Sequence, residues 1–350
     1  MSIIIRSATG PCQQMTTTGN GYPWQDGDVL DAADLNAAFL GAYNNVGRNL
    51  IHNSMFNVAQ RGVGPFTTDG VYTVDRWVIS TAASLDTVSF RQVAANDTGR
   101  AQIGDEAHLY YFSNVFTGSA NAAAANYVDH RIEFVRRLSG KTVTLSFWAV
   151  SPAPLKLGVN MFQLFGAGGS PSAAVQVLST GLAVQLTTAW ARYSVTITLP
   201  STAGKTLGTS GTDATWLRLY YSSGATGNAA AGNIGVQSGE IDLWGVQLEI
   251  GTVATPLEKP DPRYELDNCM RFYQAMSCVM FGYGLAGAGA GQTLRLYPMR
   301  RDPVLAVVGN TSSNATFTPT VVNGGVWFNG TVTATGSWSL SQSVTASADL

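Results

Sequence analysis

KTVTLSFWAV, residues 141–150, alternates apolar and polar side chains as a half-buried β-strand does. Its apolar residues fall on one side, because successive strand residues point to opposite faces of a sheet. The same alternation runs through RYSVTITLP at 192–200 and TWLRLYY at 215–221, and Gly, Ser, Thr and Asn separate the runs. Short alternating strands with such turns predict a mainly β fold, built as an antiparallel β-sandwich.

A further strand, EIDLWGVQLEI at 240–250, changes its apolar phase around Trp244. That change predicts a β-bulge at Gly245. Asp242 shares strand parity with Trp244, Val246 and Leu248, so we expect its carboxylate to point inward. A buried carboxylate must be neutralised or fully hydrogen-bonded, and an ion pair with Arg76 would do this.

Composition narrows the class of protein. A chain of 350 residues predicts two or three domains. Charged residues make up 12% of it, about half the usual share, which suits contacts between subunits. The net charge of −2, with no basic block, predicts no nucleic-acid partner. No apolar run approaches the length of a membrane span, so we expect no membrane insertion.

The first 48 residues are predicted to form a separate docking segment. Asp31 can cap a short helix, along which Leu35 and Phe39 lie on one apolar stripe. A helix this short is marginal alone and needs a surface to pack on. The cysteines Cys12, Cys269 and Cys278 are scattered, and we interpret them as reduced thiols of a protein made in cytoplasm.

The remainder divides at a proline-rich boundary. Residues 49–259 are predicted to form the sandwich. Asp261 then caps a helix that has Pro262 at its first position, so 260–276 is assigned to a linker helix. Residues 277–350 are predicted to form a smaller β domain, in which Asp349 is the sole ionisable side chain after Pro303.

Several of these segments resemble one known family. NLIHNSMFNVAQRG at 49–62, followed by YTVDRWVI at 72–79, resembles the entry to the jelly-roll domains of bacteriophage tail-fibre and related virion proteins. The strands quoted above and the proline-rich boundary resemble the later landmarks, in the expected order. WQDGDVLDAADLNAAF at 24–39 is similar to virion-attachment segments, which implies that Trp24, Leu35 and Phe39 dock on other virion proteins.

The resemblance implies a structural virion protein, a tail fibre or spike, assembled in the host cytoplasm. It implies a homotrimer whose sandwich is related to carbohydrate-binding modules and faces a host-surface polysaccharide. One alternative is a head fibre, decoration or collar protein without a receptor. A glycan depolymerase is less favoured, because fibre-type depolymerases bring long β-helical repeats that this sequence lacks. We therefore expect no enzymatic activity.

The family also implies a structural calcium ion. Ile241 and Asp242 match the last-strand landmark of that site. At the first strand, Ser54, Met55 and Asn57 replace the usual glycine and acidic residue. Asp242 is therefore a candidate calcium ligand, with the ion pair to Arg76 as the alternative.

The best candidate for sugar binding is the strand face formed by Trp216, Arg218 and Tyr220. Sugar C–H faces stack on aromatic rings, and a guanidinium donates paired hydrogen bonds to hydroxyls or carboxylates. The alternative is a second buried layer or a trimer contact.

Further residues have competing interpretations. The aromatic residues of the last domain fit either a binding surface at the distal tip or the packing of that domain's core. Asp75 fits a fold-stabilising pair with the neighbouring arginine better than a catalytic role. Two carboxylates lie four residues apart, but a glycosidase needs them at a defined separation in space, which sequence spacing does not give. The three histidines have no metal-type spacing. These residues are Trp327, Phe328 and Trp338; Asp75; Asp129 and Glu133; and His52, His108 and His130.

Overall fold

The computed structural model describes residues 47–82, 85–322 and 324–350, and Asn49–Leu350 form one compact unit. The predicted docking residues Trp24, Leu35 and Phe39, together with Cys12, lie outside the described residues. Within the described part, no helix is long and apolar enough to cross a membrane. The chain is mainly β, as predicted.

The strands are numbered in chain order. They are β1 (Trp77–Ala82), β2 (Thr87–Ala94), β3 (Tyr110–Thr117), β4 (Ala125–Glu133), β5 (Thr142–Val150), β6 (Lys156–Leu164), β7 (Val175–Gln176), β8 (Leu182–Gln185), β9 (Ala191–Thr198), β10 (Ala214–Ser223), β11 (Ser238–Ile250), β12 (Tyr273–Gly284), β13 (Gly289–Arg295), β14 (Val304–Ser313), β15 (Ala315–Val322), β16 (Gly325–Val332) and β17 (Gly336–Ser347). The α-helices are α1 (Asp97–Ile103) and α2 (Pro262–Met270), and Val135–Leu138 form a short 3₁₀ turn.

Two antiparallel sheets form the jelly-roll sandwich. One has the order β1-β4-β10-β6-β7, with β8 also paired to β6, and the other has the order β2-β3-β11-β5-β9. The alternating residues of β5 and β10 fill the space between the sheets: Val143, Leu145, Phe147, Ala149, Leu217, Leu219 and Tyr221 are all inaccessible to solvent. The predicted antiparallel sandwich is therefore confirmed.

The entry stretch at 49–62 closes this sandwich without being one of its long strands. Its backbone is held along β11, where the amide of Leu50 donates to the carbonyl of Leu248 at 2.9 Å. Phe56 is fully buried and lies 5.3 Å from the Trp77 ring and 5.2 Å from the Phe112 ring, centroid to centroid. The quoted family landmark is therefore part of the main core.

The predicted bulge in β11 is present. Pairing with β5 shifts register between Trp244 and Gln247, and Gly245 has φ +60°. The bulge puts Val246 in the sandwich core together with Ile241 and Leu243. Asp242, between those last two residues, therefore lies on the outer face. The expectation that its carboxylate points into the core is wrong, because the parity was counted across the bulge.

A second, smaller β structure follows α2, which Asp261 caps by accepting from the amide of Arg263 at 2.8 Å. It consists of the three-stranded sheets β12-β17-β14 and β13-β16-β15, with their own apolar core. Helix α2 ends at Met270 and strand β12 begins at Tyr273. The linker helix is therefore shorter than the predicted range 260–276. Phe328 is buried in this core, Trp338 packs against it, and Trp327 is 40% exposed.

Charged side chains join this smaller structure to the sandwich. Glu133 accepts from Arg300 at 3.0 Å and lies 3.1 Å from Arg271. Arg76, which is buried, stacks its guanidinium 3.3 Å from the centroid of the Phe272 ring. Because the Arg76 guanidinium lies against the Phe272 ring, it does not pair with Asp242, and the alternative prediction of an Arg76–Asp242 ion pair is wrong as well.

Helix α2 is tied to the entry stretch by a buried carboxyl group. Glu265 is 3% exposed, and burial raises its pKa to about 7, against the backbone amides of Ser54 and Asn53, which act to lower it. The folded chain therefore holds this proton up to a higher pH than the unfolded chain does.

We predict that replacing Glu265 by Gln flattens the pH dependence of stability. Because the folded pKa lies above the unfolded value, the free energy of unfolding falls as the pH rises through the window between the two pKa values. From pH 5 to pH 8 the wild type should lose about 2 kcal/mol relative to E265Q. Urea unfolding at several pH values measures this, and parallel curves for the two proteins would contradict the assignment.

Candidate functional site

The predicted strand face lies at the centre of the six-stranded sheet. Strand β10 is flanked by β4 and β6, with Trp216 opposite Arg131 on one side and opposite Phe162 on the other. Leu217 and Leu219 point into the sandwich core. The intervening residues of β10 therefore lie on the outer face of the sheet, as predicted.

The middle of this face is occupied by one ion pair. Arg218 Nε donates to Asp129 Oδ1 at 2.7 Å, and Arg218 Nη2 donates to Asp129 Oδ2 at 2.8 Å. The two side chains are 14% and 3% exposed. Burial acts to lower the pKa of Arg218, but Asp129 outweighs it and raises that pKa, so the guanidinium stays charged. A two-pronged pair of this kind fixes the plane of the guanidinium.

Aromatic rings frame the pair. The Arg218 guanidinium carbon lies 3.7 Å from the centroid of the Tyr127 ring and 4.6 Å from that of Phe162. A second guanidinium, that of Arg131, lies 4.2 Å from the centroid of the Trp216 ring. Tyr127, Phe162 and Trp216 are partly exposed. The face thus presents three aromatic rings and two cations in a fixed arrangement.

One predicted member of the site is covered. Tyr220 is 4% exposed and packs with Ala231 and Ile234 from the loop between β10 and β11. Asn160, opposite Arg218, donates to the carbonyls of Leu178 and Ala230, both at 2.9 Å. These loops close one end of the face, so Trp216 and Arg218 are the accessible members of the predicted triad.

The two carboxylates considered for catalysis are both held in ion pairs with arginines. Asp129 and Glu133 lie on the same face of β4, four residues apart, which corresponds to about 13 Å along a strand. Asp129 is held by Arg218, and Glu133 by Arg271 and Arg300. Asp75 is buried and accepts from the backbone and side chain of Gln60, both at 2.7 Å, so the dipeptide pair with Arg76 is not formed.

Asp242 lies on the outer face of the other sheet. Burial raises its pKa to about 7, with Glu240 adding to the shift and Ser113 and Arg91 opposing it. Its Oδ1 atom is buried without a hydrogen-bond partner among the described residues. Calcium requires six to eight oxygen ligands, and no group of three or more His, Cys, Asp or Glu side chains gathers within the described part. The calcium ion that the resemblance implies at Asp242 stays a prediction.

The histidines have structural surroundings. His130 accepts from the backbone amide of His52 at 3.2 Å. Burial, with Arg76 adding to it, lowers the pKa of His52 to about 3 and that of His130 well below its ordinary value. His108 lies in a ring cluster with Trp190 and Trp244, at centroid distances of 5.1 and 5.0 Å. All three are neutral core residues at pH 7.

No protein-family model matches this chain, and neither does any curated protein. Among solved structures it is similar to a CBM4 module at 16% identity and a TM-score of 0.34, over 57% of this chain and 99% of that one. It is similar to a family 11 carbohydrate-binding module of a Clostridium thermocellum cellulase at 13% identity and a TM-score of 0.31, over 55% and 98%. A third similarity is to the enzymatically active domain of tailspike protein 4 of bacteriophage CBA120, at 14% identity and a TM-score of 0.31, over 58% of this chain and 22% of that domain.

We predict that Asp129→Ala destabilises the protein strongly. The change leaves the Arg218 guanidinium with no carboxylate in a largely buried position, and breaking a buried pair costs about 3 kcal/mol or more. The double variant D129A/R218M should recover most of this loss, because it removes the unpaired charge.

The matched control is Lys259→Ala, which breaks the more exposed Lys259–Asp105 pair and should cost less than about 1 kcal/mol. Chemical denaturation gives the free energy of unfolding of all three variants. A small loss for D129A, or no recovery in the double variant, would contradict the role given to the pair.

Proposed function

We propose that the outer face of the six-stranded sheet binds a glycan of the host cell surface, and that the chain is a structural virion protein. The observation that carries the binding proposal is the pairing of Trp216 with Arg131 beside the Arg218–Asp129 pair, framed by Tyr127 and Phe162. In this proposal the protein is a homotrimeric tail fibre or spike that docks through residues 1–48.

The chemistry of the face suits a sugar. The partly exposed rings offer flat apolar surfaces on which the C–H faces of a pyranose stack. Asp129 already neutralises Arg218, while Arg131 donates to the hydroxyl of Tyr72 at 3.4 Å and to the backbone oxygen of Leu350. The two guanidinium groups are thus fixed beside the rings, and their N–H groups that are not used in these bonds can donate to sugar hydroxyls.

The virion part of the proposal is supported by the sequence landmarks and by composition. The ordered segments from 24–39 to 241–274 resemble phage virion proteins, and the low content of charged residues suits a surface that is covered in an assembly.

A second candidate is a purely structural role, as a head fibre, decoration or collar protein. The burial of Tyr220 and the loops over one end of the face favour it, since both reduce the area open to a ligand. Deleting the gene and measuring adsorption to host cells separates the two roles. Loss of a receptor-binding protein reduces the adsorption of particles to host cells, whereas loss of a purely structural protein leaves the adsorption of assembled particles intact.

We predict that Trp216→Ala weakens binding to host-surface polysaccharide about tenfold. Loss of one aromatic stacking partner is worth about 1.4 kcal/mol, which is tenfold in affinity. Titration calorimetry with fragments of that polysaccharide gives the affinity.

Trp327→Ala is the matched control, because Trp327 is also a partly exposed tryptophan but belongs to the smaller β structure. It should leave the affinity unchanged. Equal losses in both variants, or no loss in W216A, would overturn the assignment of the face.

A further inference from the structure

The outer face of the sheet β12-β17-β14 carries no charge. Strand alternation and the pairing register place alternate residues of each strand on this face, opposite the core residues Cys278, Met280 and Leu340. The outward residues, which we call the neutral face, are Ala275, Ser277, Val279, Phe281 and Tyr283 of β12; Ser337, Ser339, Ser341, Ser343 and Thr345 of β17; and Val304, Ala306, Gly309, Thr311 and Ser313 of β14.

Large apolar side chains stand at both edges of the neutral face. On β12, Phe281 is 83% exposed, Tyr283 74% and Val279 68%, and on β14, Val304 is 72% exposed. Between them β17 contributes only small hydroxyl side chains. Val279, Phe281 and Tyr283 are neighbours along one face of β12, and exposed apolar groups clustered in this way mark interaction sites.

The dimensions of the neutral face suit a protein contact. Twelve residues of β12 and of β17 extend about 40 Å, and three strands span about 14 Å. The resulting footprint of roughly 600 Å² is close to the roughly 800 Å² that each partner contributes to a stable interface.

The absence of charge indicates what the partner is. A charged partner surface would bury ions against a face that has no counter-ion for them, which is unfavourable. Another copy of the same face brings no charge, and it brings apolar edges to meet apolar edges. Strands β12 and β14 are also the edges of their sheet, so their outer backbone groups do not pair within it. Exposed, uncharged edge strands readily associate with other chains.

We propose that the neutral face is the surface through which copies of this chain associate. The inference rests on the proposed homotrimer only for the number of copies, and it names where they meet. In a trimer, the β12 half of one neutral face packs against the β14 half of the next, and this head-to-tail contact closes into a ring.

The test is the molar mass of the full chain in solution, measured by sedimentation velocity for the wild type and two lysine variants. Val279→Lys puts an ammonium on the neutral face. Val253→Lys puts the same group on a loop of the sandwich, at nearly the same exposure, 70% against 68%. The wild type should sediment as a multiple of 36.9 kDa.

We expect V279K to weaken association at least about tenfold, because an unpaired ammonium would be buried, and V253K to leave association unchanged. Circular dichroism melting confirms that V279K is folded, since the side chain is exposed within one copy. If V279K dissociates and still binds glycan through Trp216, the neutral face is the association surface and the outer face of the six-stranded sheet is a separate glycan site.

Three results overturn the inference. The first is a wild type that is a monomer at micromolar concentration. The second is a V279K variant that keeps the wild-type mass. The third is a V253K variant that dissociates to the same extent as V279K. If a monomeric wild type loses glycan binding on Val279→Lys, the neutral face is a ligand surface.

Discussion

The Arg218–Asp129 pair is the interaction on which the candidate site depends. It lies across two central strands, with both carboxylate oxygens used and with aromatic rings over the guanidinium. A charge taken this far from water is stable only with such a partner. The pair therefore holds β4 and β10 in register on their outer face, and it fixes where Trp216, Tyr127 and Phe162 stand relative to a cation.

The same constraint explains how a chain with 12% charged residues uses them. Several of its ion pairs are partly or fully buried: Asp129 with Arg218 at the centre of the face, Glu133 where the two β structures meet, and Asp75 with Arg61, 3.8 Å apart, at the entry stretch. The neutral face of the sheet β12-β17-β14 is left to Ser, Thr, Gly and apolar residues.

Much of the fold follows from local patterns. Alternation in 142–150 and 215–221 predicted which residues face the sandwich core, although several of the intervening residues are buried as well, and the phase change at Trp244 predicted the bulge. Three assignments failed where a local rule was applied across a non-local feature. Asp242 was counted through the bulge, Arg76 was paired by charge although it stacks on Phe272, and the linker helix was extended into β12.

The candidate site was predictable only in part. Parity placed Trp216 and Arg218 on one face, but Tyr127, Arg131 and Phe162 come from other strands, and the cross-strand register that brings them together leaves no mark in the sequence. The covering of Tyr220 by a distant loop was equally invisible. Asp129 was visible as a carboxylate, but its partner was not.

We propose that Trp216 contacts the sugar and that the buried tryptophans do not. Nuclear magnetic resonance of protein labelled at its 8 tryptophan indole nitrogens, titrated with host-surface oligosaccharide, tests this directly. The Trp216 signal, assigned by its loss in W216F, should shift with ligand concentration, while the signals of Trp77 and Trp244 stay in place. A shift confined to Trp327, or none in any indole, would contradict the account.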